Sequence, residues 1–95
     1  MALSPAVEKA EKIQRLLQDM GLEVSRHASS MLVLAQGLVA ASIHVYPDEC
    51  TVNLYMLWGE RLRSVQSKIV KIVQELCGKV EAYYAPRLRL GSNNT

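Results

Sequence analysis

The chain has 95 residues, 49% of them hydrophobic and 21% charged, with 11 Lys and Arg against 9 Asp and Glu. That composition disfavours disorder, collagen-like repeats and coiled coils, and a chain this short hides roughly 60–70% of its unfolded surface around a single core. A net charge of +2 with a pI near 8.7 permits a polyanionic partner without requiring one.

Ser4 is placed to cap a first helix, Pro5 fits its opening turn, and Val7, Ala10, Ile13, Leu17 and Met20 recur at three- and four-residue steps until Gly21. The other face, with Glu8, Lys9, Glu11, Lys12, Arg15 and Asp19, is mixed in sign and reads as solvated. These charges also occupy the place of a secretory apolar segment. No apolar run approaches the ~18 residues of a membrane span, so a soluble cytoplasmic protein without a membrane partner is expected.

From Leu22 to Leu57 the chain is rich in Val, Leu, Ile and Tyr, and Ser29-Ser30, Gly37 and Pro47-Asp48-Glu49 divide it into four strands of an antiparallel meander. Met31 to Ala35 is apolar at every position, which predicts an inner strand covered on both faces. Leu38–Tyr46 and Cys50–Leu57 form a hairpin. With Asp48 and Glu49 in its turn, Val45 pairs with Val52, Ile43 with Leu54 and Ala41 with Met56 on a core face. The opposite face then pairs Tyr46 with Thr51, His44 with Asn53, Ser42 with Tyr55 and Ala40 with Leu57.

After Trp58-Gly59, a second helix is marked by Leu62, Val65, Ile69, Ile72, Val73 and Leu76 and stops at Gly78. Its outer face has a modest basic excess, Arg61, Arg63, Lys68 and Lys71 against Glu60 and Glu75. A last strand from Lys79 to about Ala85 alternates Val80, Ala82 and Tyr84 with Lys79, Glu81 and Tyr83 before Pro86. The expected fold is α+β, in the order α-β-β-β-β-α-β, with both helices on one face of an antiparallel sheet. It forms one domain over residues 1–90, with a flexible polar tail over 91–95.

Cys50 and Cys77 lack the close pairing of zinc or thioredoxin-like sites and read as reduced thiols. Together with the scattered His27 and His44 they do not make a metal site, and none is expected. No phosphate loop, nucleophile elbow or H-E-x-x-H pattern occurs, so neither an enzyme nor a cofactor is expected. His44 beside Asn53 and near Asp48 or Glu49 has the makings of a general base, but no nucleophile accompanies it.

The open sheet face carries the functional expectation. His44, Tyr46, Asn53, Tyr55 and Tyr83, with Trp58 at the strand end, offer surfaces on which unpaired bases stack, and Arg26, Lys79, Arg87 and Arg89 supply cations for phosphates. The competing expectation is a homo-oligomeric interaction module, with Leu38, Ala40 and Leu57 burying the same face. The element order and the positions of Tyr46, Tyr55, Trp58 and Tyr83 resemble the archaeal ThermoDBP-related proteins over about Ser4 to Tyr84. That resemblance implies binding of single-stranded DNA or RNA across a sheet-based cleft. The longer ThermoDBP proteins dimerise through a C-terminal zipper, and no heptad replaces it here, so a dimer has to use the domain itself. A second similarity, to alkaline-shock-type domains, runs through Thr51–Trp58, the helix with Val65-Gln66 and Ile69, and Gly78-Lys79-Val80, and implies assembly instead.

Overall fold

Helix α1 (Pro5–Asp19) leads into β1 (Glu23–His27), β2 (Ser30–Ala35), β3 (Leu38–Val45) and β4 (Cys50–Tyr55), and α2 (Glu60–Cys77) then returns the chain to β5 (Val80–Ala85). These elements come from a computed structural model that describes residues 4–55 and 60–85. The class and the element order are those expected. Strand order in the sheet is β1-β2-β3-β4-β5, antiparallel through β4, with β5 parallel to β4. The parallel pair is a departure from an all-antiparallel sheet, and its cause is α2. At 1.5 Å per residue, 18 helical residues carry the chain roughly 27 Å back to the start of β4, so the next strand repeats its direction.

Local chemistry sets the ends of α1. Ser4 Oγ accepts from the Val7 N–H at 3.2 Å. At the other end Gly21, at φ +90°, lets its own N–H reach the Gln18 carbonyl while the Leu22 N–H reaches that of Leu17. Ala6, Ala10, Ile13 and Leu17 from α1 and Ile69, Val73 and Cys77 from α2 close over Met31, Val33, Ala41, Ile43, Val45, Val52 and Leu54 of the sheet. Both helices cover one face, and the other is left open. No described helix is long and apolar enough to cross a membrane.

Three expectations about register change. The Tyr46 N–H donates to the Glu49 carbonyl at 2.8 Å, closing Tyr46–Glu49 into a four-residue turn, so Val45 pairs with Cys50, Ile43 with Val52 and Ala41 with Leu54. This is a slip of two residues from the expected register. Because side chains alternate with period two, the residues of Ala41–Val45 and their partners keep their faces and change only their neighbours. Second, a bulge between Val33 and Leu34 leaves Ala40 unmatched on β3. Ala40 is fully buried, and Leu38 shifts to pack against the core, so neither belongs to the open face; Leu57 lies outside the described residues. Third, β2 is an inner strand but its burial alternates. Leu32 is 38% exposed, so the apolar run of this strand is covered on one side only.

The two cysteines are a correction. Cys50 and Cys77 are joined in a disulfide across 27 residues of sequence, with Cα atoms 6.1 Å apart, so they are not free thiols. Their spacing could not reveal this, because the end of α2 meets the start of β4 only after the crossover folds. The Trp58 position and the tail over 91–95 lie outside the described residues.

Candidate functional site

Strand pairing lays two rows of side chains across the uncovered face. One runs Ser25, Leu32, Ser42, Asn53, Tyr83, and the other His27, Ser30, His44, Thr51, Glu81. Both rows cross all five strands, and their polar groups bond to one another. Asn53 Nδ2 donates to Ser42 Oγ at 3.4 Å, and Ser42 Oγ also lies 3.3 Å from Tyr55 Oη. Ser30 Oγ lies 3.0 Å from His44 Nδ1.

Tyr55 and Tyr83 are held in similar ways. Ser42 is the cross-strand neighbour of Asn53, so Tyr55 must lean back by two residues along β4 to reach it. Tyr83 leans back two residues along β5, its Oη donating to Glu81 Oε1 at 2.8 Å. Tyr55 therefore reaches across to β3 while Tyr83 reaches along its own strand, so each ring is anchored to the sheet through its hydroxyl. Tyr83 remains 50% exposed. The hydrogen bond to Glu81, reinforced by that carboxylate's charge, raises the Tyr83 phenol above its ordinary range.

The remaining candidates are placed differently. Tyr46 is 51% exposed but belongs to the β3–β4 turn and joins neither row. Arg26 falls on the helix-covered side of β1, where its guanidinium donates to Gln14 Oε1, Glu11 Oε2 and the Ala28 carbonyl. It ties α1 to a turn in which Ala28 holds φ at 57°, so its work is structural and it does not reach the open face. His44 faces Thr51 and bonds Ser30, so Asn53 is not its partner. Lys79 sits at the entry to β5, 3.7 Å from Glu49, with 72% of its side chain exposed. Arg87, Arg89 and Trp58 lie outside the described residues. Two exposed carboxylates, Glu23 and Glu81, sit on the face itself.

Three residues that support the site were not singled out. Gln66, 1% exposed, donates both Nε2 hydrogens, to the Ala40 carbonyl at 3.0 Å and the Tyr55 carbonyl at 2.9 Å. It thereby satisfies the bulge and the last turn of β4 below Tyr55. Its signal was a polar residue on the buried stripe of α2, one turn from Ile69 and Val70. Ser42 and Ser30 are small hydroxyls whose roles follow only from which strands are neighbours.

The face is mostly polar, with Tyr55 and Tyr83 as its tyrosine rings and Leu32 as its exposed apolar side chain, equipped to hydrogen-bond and to stack. The Ser30–His44 pair, 3.0 Å apart on the open face, is a hydroxyl–imidazole contact of the kind used in acid–base chemistry. No family model matches the chain, and no curated protein or solved structure matches it, so the site is to be understood from its own geometry.

Proposed function

We propose that the protein binds single-stranded nucleic acid on the open sheet face with little sequence preference. The observation that carries this reading is the pair Tyr55 and Tyr83 on adjacent strands of the open face, each anchored through its hydroxyl, with Asn53 directly beside Tyr83. Rings anchored in this way offer flat faces to unpaired bases, each stack contributing ~1–3 kcal/mol, while Asn53, Ser42 and His44 offer hydrogen bonds to base edges. Duplex DNA, with its bases already stacked, gains nothing from such a platform.

Charge makes the smaller contribution. With Arg26 engaged by α1, Lys79 is the one cation of the described set that borders the face, and Arg87 and Arg89 follow β5. A log–log salt slope of about −0.7 per phosphate contact for a single strand then predicts a shallow dependence. Titration of fluorescent oligo-dT, oligo-rU and duplex DNA at two salt concentrations tests the proposal. Preferential single-strand binding with a shallow slope, flattened further by Arg87→Ala with Arg89→Ala, is expected. No binding of either oligonucleotide at high micromolar protein sinks it.

A second reading is favoured by Leu32, 38% exposed in the middle of the same face: two copies pair sheet to sheet and bury it. Sedimentation distinguishes the two, since a dimer dissociated by Leu32→Ser and indifferent to oligonucleotide belongs to the second reading. The proposal keeps the protein in the cytoplasm. A Cys50–Cys77 disulfide is uncommon in that compartment, where thiols are usually kept reduced.

A further inference from the structure

On the far side of the molecule from the sheet face, the seam between the two helices forms an apolar groove edged with lysines. Met20, at the end of α1, is 38% exposed, and Leu16, one turn earlier on the same side, is 41% exposed. Met20 shares the groove with Lys68, Lys71, Ile72 and Glu75 of α2. Ile72 is half-buried against the core and makes the floor, while Lys68 and Lys71 are exposed above it. Neither lysine forms an ion pair with a described residue; the pairs present are Arg26–Glu11 and Lys79–Glu49. The groove therefore combines uncovered apolar surface with two lysines and one carboxylate, a net positive rim.

We propose that this groove docks an acidic amphipathic helix of a partner protein. Its apolar side chains would rest on Leu16, Met20 and Ile72, and its flanking carboxylates would meet Lys68 and Lys71. A third helix laid along a two-helix seam is a common recognition geometry, with apolar anchors one turn apart giving affinity and rim charges giving orientation. The charge pattern decides the occupant. A nucleic-acid strand finds no aromatic ring among these groove residues on which to stack its bases. A second copy offering its own α2 would set lysines against lysines. An acidic helix matches both the floor and the rim.

The test is a fluorescence-anisotropy titration of the full chain with a synthetic helical peptide bearing Leu at i and i+4 and Glu on both flanks. Saturable, salt-weakened binding is expected. Lys68→Glu with Lys71→Glu should weaken it at least tenfold, as should Met20→Glu alone, and both variants should keep the parent circular dichroism because all three side chains are exposed. The same peptide with Lys in place of Glu should bind at least tenfold more weakly. Absence of saturation by ~1 mM peptide overturns the proposal, as does binding indifferent to the charge reversal. Oligo-dT competing at the same residues would make this a polyanion site instead, and a mass doubling abolished by Met20→Glu without peptide binding would make it a self-association surface. Because the groove and the sheet face lie on opposite layers, either proposal can fail without the other.

Discussion

The two faces of the sheet come from the same strands and have little else in common. On the helix-covered side, Val33, Ala41, Ile43, Val45, Val52 and Leu54 are buried to 1% exposure or less, in contact with both helices. On the open side, the intervening positions are mostly polar, Ser, Thr, Asn, His, Tyr and Glu with Leu32 among them, and several are joined by hydrogen bonds of 2.8–3.4 Å. Burial makes the first face intolerant of lost volume. Solvent makes the second tolerant, because an exposed ring removed leaves no cavity. Stability and binding should therefore separate cleanly between the faces, and each variant below sharpens or breaks that division.

The largest effect is expected on the covered face. Ile43→Ala should cost roughly 2–5 kcal/mol in chemical denaturation, since the fully buried side chain leaves a cavity between sheet and helices. A loss within the range of surface substitutions would mean that the core is placed wrongly. Next in size is the disulfide. Cys77→Ser should remove about 3–4 kcal/mol through the freed loop of 27 residues, and reductant should reproduce the loss in the parent chain. Equal melting with and without reductant would show the bridge to be absent.

Gln66 links the faces, being buried on α2 yet bonded beneath Tyr55. Gln66→Ala should cost ~1–3 kcal/mol by stranding the Ala40 and Tyr55 carbonyls, and should also lower oligonucleotide affinity by loosening the end of β4. If affinity survives while stability falls, the platform does not depend on the bulge. Tyr55→Ala and Tyr83→Ala should each lose ~1–3 kcal/mol of oligonucleotide affinity. Tyr83→Ala, at an exposed position, should move stability by no more than ~0.5 kcal/mol. Should Tyr55→Ala instead unfold the domain, Tyr55 is a core residue and the open face is misread. The smallest change is Glu81→Gln. Removing the carboxylate should let the Tyr83 phenol titrate nearer its ordinary 10.0 in an ultraviolet titration, and should raise oligonucleotide affinity slightly by removing a like charge from phosphate. An unchanged Tyr83 titration would mean that the 2.8 Å hydrogen bond does not persist in solution.

What was legible in the amino-acid order was whatever is local or periodic. Ser4, Pro5 and Gly21 bounded α1, since capping uses groups within four residues of one another. Alternation assigned His44, Asn53, Tyr55 and Tyr83 to the open face, and it did so although the register was two residues off, because a slip of two preserves the side on which a residue lies. The α+β class followed from the same periodicities.

Only the tertiary structure decided which distant groups become neighbours. The placement of Arg26 against Gln14 and Glu11 depends on α1 crossing β1, and the meeting of Cys50 with Cys77 depends on α2 returning the chain to the start of β4. At the bulge that leaves Ala40 unmatched, the donor its carbonyl needs comes from Gln66, 26 positions away. Periodicity reports which way a side chain points, and says nothing of the partner waiting there. That information lies in how elements pack, where a single residue added to one strand or one helix laid back across the sheet reassigns every contact beyond it.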